Sequence, residues 1–159
     1  DCMITRCTNN YGPRQFPEKL IPKTILYAIN GKKIPIYGSG ENIRDWIHVS
    51  DHCEAIFQVL KNGTKGSSYN ISSNNEVDNV TIIKKILSFL NKSENMIEYG
   101  KDRPGHDFRY SMDSTKIRKE LGWLPTIRFD EGLKNTIKWY IENKQWWNNI
   151  SQDKLDSNW

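Results

Sequence analysis

A chain of 159 residues with six Trp and seven Tyr, 23 Lys and Arg against 19 Asp and Glu, and a formal net charge of +4 is long enough for one domain with a proper core and too aromatic to be disordered. Its charges are interleaved, which suits small anionic ligands and argues against nucleic acid, whose binders show a concentrated basic stripe. No apolar run approaches the roughly 18 residues of a membrane span, and three cysteines without framework spacing, Cys2, Cys7 and Cys53, fit reduced thiols in the cytoplasm.

The chain starts at Asp1 and not Met, which points to processing or to a piece of something longer. Cys2 to Cys7 reads as a short strand, and the polar, Pro-punctuated stretch to Pro17 as a loop. From Glu18 to Asn30, the apolar residues Leu20, Ile21, Ile25, Ala28 and Ile29 recur at helical spacing, and Gly31 supplies the stop. Pro22 falls in the first turn, where its missing N–H costs little. "KIPIYGSG" predicts a strand and a glycine turn, and the alternating "IRDWIHV" predicts another strand. Ser50 is the expected N-cap of a helix through Ala55, Ile56, Val59 and Leu60 that stops at Asn62-Gly63. "SSYNIS" is a short strand, and Asp78 or Asn79 opens the clearest helix, with Val80, Ile83, Ile86, Leu87 and Leu90 on one face. "MIEYG" is a strand and "KDRPGHD" a loop. Asp113 or Ser114 caps a short helix holding Ile117 and Leu121 before Gly122. Phe129, Leu133, Ile137 and Ile141 mark a last helix running toward Trp146-Trp147. The mixture predicts α/β or α+β, and the opening strand followed by a polar loop looks like the late part of a parallel sheet, where ligands bind at the carboxyl ends of strands.

Several constellations carry chemistry, each beside a plainer reading. Asn9 and Asn10 are either amide donors for a sugar, phosphate or carboxamide, or an Asn-rich turn ahead of Tyr-Gly-Pro. Lys19, at the start of a helix, suits a phosphate, although most single lysines are merely surface residues. "RPGHD", Arg103 to Asp107, packs a guanidinium that can fork onto a pyrophosphate, a rigid turn, an imidazole and a carboxylate into one loop. Arg44 offers a second cation; with Lys19 the three form a diphosphate cradle, while each arginine alone reads as a surface ion pair. His48 and His52 are four apart, but one is expected in a strand and the other in a helix, so no metal site is assigned. "YGSGENI" lacks the third glycine of a dinucleotide loop, and Tyr140 with Lys144 stands in an amphipathic helix with no cofactor loop upstream.

Taken in order, "RCTNNYGPRQFPEKLIP", "PIYGSGENIRDWIHVSDH", "YNISSNNEVDN", "DRPGHDFRYSMD", "KIRKELGW" and "EGLKNTIKWY" resemble the C-terminal half of the nucleotide-sugar 4,6-dehydratases. These are extended short-chain dehydrogenase/reductases; the dTDP-glucose enzymes are nearest and the UDP-glucose enzymes very similar. The resemblance covers the chain to about Trp147 and implies an α/β fold: the C-terminal part of an extended Rossmann-type, NAD(P)-binding fold with the smaller mixed α/β substrate-binding domain. Residues 1–16 would be a late Rossmann strand and hinge loop. Residues 17–147 would be mainly the substrate-binding domain, with 68–72 a candidate return strand to the Rossmann sheet, and 148–159 an unassigned tail.

The same resemblance implies a site. Asn9 would hydrogen-bond the nucleotide sugar and Asn10 would face the nicotinamide of NAD. Glu18, Lys19 and Leu20 would line the phosphate and sugar side, and Pro35, Ile36 and Tyr37 would form the slot for the pyrimidine. Arg44, Asn79 and Arg103 would hold the diphosphate, with His106 close by in the loop that also holds Pro104, Gly105 and Asp107. The implied reaction, on dTDP-glucose or UDP-glucose, is an internal redox cycle: hydride leaves C4, water is lost across C5 and C6, and hydride returns at C6. NAD is the implied cofactor and a homodimer the implied full-length state. The Gly-rich loop, Tyr-x-x-x-Lys pair and acidic dyad that do this chemistry lie upstream in the family, so no catalytic residue is assigned here and this chain alone is expected to be inactive. A nucleotide-sugar epimerase or decarboxylase of the same superfamily, or a non-catalytic sugar-nucleotide-binding module, are the alternatives.

Overall fold

The computed structural model describes residues 2–148 and 150, so the tail from 148 onward lies outside the described residues except for Asn148 and Ile150. Strands β1 (Ile4–Cys7) and β2 (Asn9–Tyr11) come first, then α1 (Leu20–Ile29), β3 (Ile34–Tyr37), β4 (Ile43–His48) and α2 (Val49–Asn62). There follow β5 (Ser68–Ile71), β6 (Glu76–Asp78), α3 (Asn79–Phe89), a 3₁₀ turn and β7 (Ile97–Gly100). The last elements are β8 (Arg109–Tyr110), α4 (Thr115–Leu121), α5 (Phe129–Glu142) and α6 (Lys144–Asn148). No described helix is long and apolar enough to cross a membrane.

Most strand pairs are parallel, which requires long crossovers and is why helices separate them. β1 pairs with β5, Ile4 opposite Ser68, and β3 pairs with β7, Ile34 opposite Ile97. β4 organises the third sheet. Its second half runs parallel to β2, Asn9 opposite Trp46, and its first half lies antiparallel to β6, Ile43 opposite Asp78. The two-residue β8 adds to β4 in parallel at Ile43 and Arg44.

Two cores result, and β4 is their shared wall, because successive side chains of a strand point to opposite faces. Trp46 enters the larger core, where Ile21 and Ile25 of α1, Ile82, Ile83 and Ile86 of α3, and Leu133, Ile137 and Tyr140 of α5 interlock. Ile47 enters the smaller one with Ala55 and Val59 of α2, Tyr69 and Ile71 of β5, Ile117 of α4 and Trp123. Each fully buried Ile or Leu contributes about 1.5–3 kcal/mol relative to exposure.

Local chemistry sets the ends. Asp78 caps α3, its Oδ1 accepting from the Thr81 N–H at 2.7 Å. Gly122 ends α4 at φ +65°, where a Cβ would clash with its own backbone. Ser50 is not the cap of α2. Strand β4 runs straight into the helix, which begins at Val49, and His48 caps it with Nδ1 accepting from the Ser50 N–H at 3.2 Å. The last helix is also split, α5 closing at Asn143 before α6.

Two buried carboxylates stitch the elements. Asp45, in β4, gathers the turn after β5: Oδ2 accepts from the Ser72 hydroxyl and from the Asn74 N–H at 3.2 Å, and Oδ1 from the Ser73 hydroxyl at 3.0 Å and the Asn75 N–H at 3.2 Å. Asp51, in the first turn of α2, accepts from the Thr126 N–H and hydroxyl at 3.0 and 2.9 Å and from the Ile127 N–H at 3.0 Å, fixing the approach to α5.

Candidate functional site

A cleft of about 350 Å³ opens where β2, the start of α1, β3, β4, the start of α3 and the 101–108 loop meet. Asn9 and Asn10 reach it from β2, Lys19 and Leu20 from the start of α1, and Ile36 and Tyr37 from β3. Arg44 comes from β4, Asn79 from the first position of α3, and Arg103 and His106 from the loop. Thus ten of the residues singled out in the sequence converge on one cavity, and Lys19, Arg44 and Arg103 share it.

Their surroundings differ. Lys19 immediately precedes α1, at the positive end of the helix dipole, and pairs with Glu18 at 2.7 Å on an exposed edge. Arg44 is almost buried, and its guanidinium is largely spent on main chain: Nη1 donates to the Ile43 carbonyl at 2.7 Å and the Phe108 carbonyl at 3.5 Å, and Nη2 to the Asp107 carbonyl at 2.8 Å. A guanidinium has five N–H donors, so two remain. Its pKa is drawn below the ordinary arginine value by burial first, with Asp107 opposing and Arg103 reinforcing. Arg44 is therefore an anchor for the loop as well as a cation.

The loop is organised by Asp102. Its Oδ1 lies 2.7 Å from His106 Nδ1 and accepts from the Arg103 N–H at 2.8 Å. Those bonds, the imidazole's first, hold its carboxyl below the usual aspartate range. The His106 side chain is 6% exposed and stands edge-on to Tyr37, ring centroids 6.3 Å apart. With Nδ1 engaged by Asp102, Nε2 is the nitrogen left for a ligand.

Five sequence-derived site residues do not line the cleft: Glu18, Pro35, Pro104, Gly105 and Asp107. Pro35 is exposed on β3 while Ile34 and Ile36 on either side are buried, the alternation a strand imposes. Gly105 makes the loop's turn at φ +67°. Asp107 contributes its backbone carbonyl, to Arg44 and to the Asn42 amide at 3.2 Å. Two lining residues were not anticipated, Gln15 and Trp46. Trp46 was legible from the alternation along "IRDWIHV"; Gln15, in an irregular loop, had no periodic signal.

His48 and His52 face different tasks. His48 caps α2, and His52 Nδ1 lies 2.8 Å from Asn10 Oδ1. Among the described residues no group of three His, Cys, Asp or Glu is placed to hold a metal. Asn10, the residue that the resemblance assigns to NAD, already donates to Cys7 Sγ at 3.3 Å and to the Thr8 carbonyl at 3.2 Å. These bonds orient its amide and leave it little capacity beyond an acceptor lone pair. A glycine-rich dinucleotide loop is absent from the sequence.

Known proteins share this chain's sequence and fold over most of its length. The sequence model of the GDP-mannose 4,6 dehydratase family matches residues 1–136. The dTDP-glucose 4,6-dehydratase of Neisseria meningitidis is 46% identical over 159 residues, covering 93% of this chain and 45% of the relative. Among solved structures, the Bacillus anthracis dTDP-glucose 4,6-dehydratase in complex with NAD superposes with a TM-score of 0.90 at 48% identity, over 94% of this chain and 47% of that one. The Streptomyces venezuelae dTDP-glucose 4,6-dehydratase, with NAD and TYD bound, gives 0.91 at 43% identity, over 94% and 46%. The chain thus spans slightly less than half the length of the relatives it matches, and its mixed α/β fold is that of the extended Rossmann-type dehydratases. It belongs to the GDP-mannose 4,6-dehydratase family, the nucleotide-sugar 4,6-dehydratases that its ordered motifs resemble.

Proposed function

We propose that this chain forms the substrate-binding half of an NAD-dependent 4,6-dehydratase that converts dTDP-glucose, or UDP-glucose, to a 4-keto-6-deoxy sugar nucleotide. The observation that carries the reading is the cleft itself: exposed cations Lys19 and Arg103, the amide of Asn79 and the imidazole of His106 meet the flat apolar surface of Ile36 and Tyr37 in one cavity. A pyrimidine diphosphate has that pattern, an aromatic ring joined to two phosphates.

Lys19, Arg103 and the two unspent donors of Arg44 neutralise the diphosphate, Asn79 adds a hydrogen bond, and Asp102 holds His106 against the same oxygens. Ile36 and Tyr37 flank the base. Asn9 hydrogen-bonds the sugar, and Asn10, fixed by Cys7, Thr8 and His52, borders the place where NAD, the hydride carrier, would lie. Glu18 keeps Lys19 from turning away. The smaller core, with β1 and its parallel partner β5, belongs with the Rossmann sheet, and the redox and elimination groups come from residues outside this chain, in a homodimer. The match covers 45% of the length of the Neisseria meningitidis dTDP-glucose relative, which leaves room for them.

The test is calorimetric titration with dTDP-glucose, UDP-glucose and glucose 1-phosphate. Binding of a pyrimidine sugar nucleotide, with glucose 1-phosphate at least ~100-fold weaker, is expected, since the base and the second phosphate are each worth a few kcal/mol. Equal affinity for all three would refute the reading.

A further inference from the structure

The loop between β2 and α1 carries a polar side chain that none of these roles uses. Gln15 lines the cleft. Its Nε2 donates to the Asn10 carbonyl at 2.8 Å, and its own backbone carbonyl accepts from the Tyr140 hydroxyl of α5. The first bond settles the amide orientation, because exchanging nitrogen and oxygen would set two acceptors face to face. Oε1 is then left enclosed with no donor in reach. An unpaired buried acceptor costs about 1–3 kcal/mol, and folded chains hold few of them. In the wall of a cleft, such an atom marks where a donor is wanted.

The chemistry of the ligand narrows the donor. Phosphate oxygens are themselves acceptors and repel an amide oxygen. The base has its own apolar surface on β3. A sugar hydroxyl has the proton that Oε1 lacks. We propose that Gln15 Oε1 accepts a hydrogen bond from a hydroxyl of the hexose on the nucleotide, which makes Gln15 a specificity residue for the sugar and not for the nucleotide. This rests on the nucleotide-sugar reading above. Contact needs a small swing about the terminal torsion of the amide, which is broad and soft.

The test titrates the protein at its full natural length, and its Gln15→Met and Gln15→Glu variants, with dTDP and with dTDP-glucose. Methionine keeps the length and bulk without the amide; glutamate keeps an oxygen acceptor. The readout is the ratio of the two affinities within each protein, which cancels any general loosening of the loop. The ratio is expected to fall roughly five- to tenfold in Gln15→Met, the worth of one neutral hydrogen bond, and to stay near the parent value in Gln15→Glu. An unchanged ratio in Gln15→Met makes the residue a loop post and overturns the proposal, whether both ligands weaken together or neither does. A ratio that falls equally in Gln15→Glu overturns it too. A parent that binds neither ligand brings down the nucleotide-sugar reading and this inference with it, whereas a parent that binds both isolates Gln15 as the point in question.

Discussion

Replacing Asp45 by asparagine exchanges one carboxylate oxygen for an amino group inside β4, at a side chain with no solvent exposure. In the native chain both oxygens accept two bonds each, from two hydroxyls and two backbone N–H groups of the 72–75 turn. The new amino group faces one hydroxyl and one N–H. The hydroxyl can rotate and accept, but the backbone N–H cannot, and it is stranded at a cost of about 1–3 kcal/mol. The two bonds that survive lose their charge assistance, roughly another 1 kcal/mol in all. Asp45→Asn is therefore expected to lose about 2–4 kcal/mol, a large part of the stability of an ordinary domain. Urea denaturation followed by tryptophan fluorescence measures it: with a slope of about 2 kcal/mol per M, the midpoint drops by roughly 1–2 M at unchanged slope. A midpoint within ~0.3 M of the parent would show that the turn holds itself and that the carboxylate is incidental.

Three further outcomes follow from the cleft and its supports. Arg103→Ala should weaken dTDP by about 1.5–3 kcal/mol, the worth of a hydrogen bond to a charged group, and flatten the salt dependence of binding in calorimetry. Gly40→Ala should both destabilise the fold and weaken the ligand. Gly40 sits at φ +75°, and a Cβ there would run into Ile36 Cδ1 and lie 3.1 Å from Val80 Cβ, forcing Ile36 to move; about 1–3 kcal/mol in a thermal melt is expected. His48 has its pKa pushed below 6.5 by burial, against a smaller upward pull from Asp51. The unfolded chain then binds the extra proton first, so the stability held above pH 6.5 falls as pH drops below it, and protonating Nδ1 breaks the Ser50 cap. His52, also depressed by burial, adds to the same trend. Melts at about pH 7.5 and 5.5 should show the loss, and His48→Asn, which caps without titrating, should reduce it; an undiminished loss in His48→Asn would refute the assignment.

Much of the fold was legible because helices close their own hydrogen bonds locally. The α3 face and its Asp78 cap, the Gly122 stop and the strands flanking the glycine turn are all written within a few residues of themselves. Strands β2, β6 and β8 were not legible. They are two or three residues long and exist only through partners on β4, far away in the chain. The loop predicted from Thr8 to Pro17 therefore contains a strand that no local pattern announces.

For the site, the residue types alone give the chemistry on offer: which cations, amides and aromatic surfaces the chain possesses, and the order of motifs that ties it to its family. Folding settles which of them meet and which are already occupied. It turned Pro35 outward, committed three of the five donors of Arg44 to the backbone carbonyls of Ile43, Asp107 and Phe108, and left an oxygen of Gln15 without a partner in the wall of the cleft. The reason is that a residue's type fixes its donors and acceptors, whereas their satisfaction depends on groups brought close by folding, at sequence separations that no local pattern encodes.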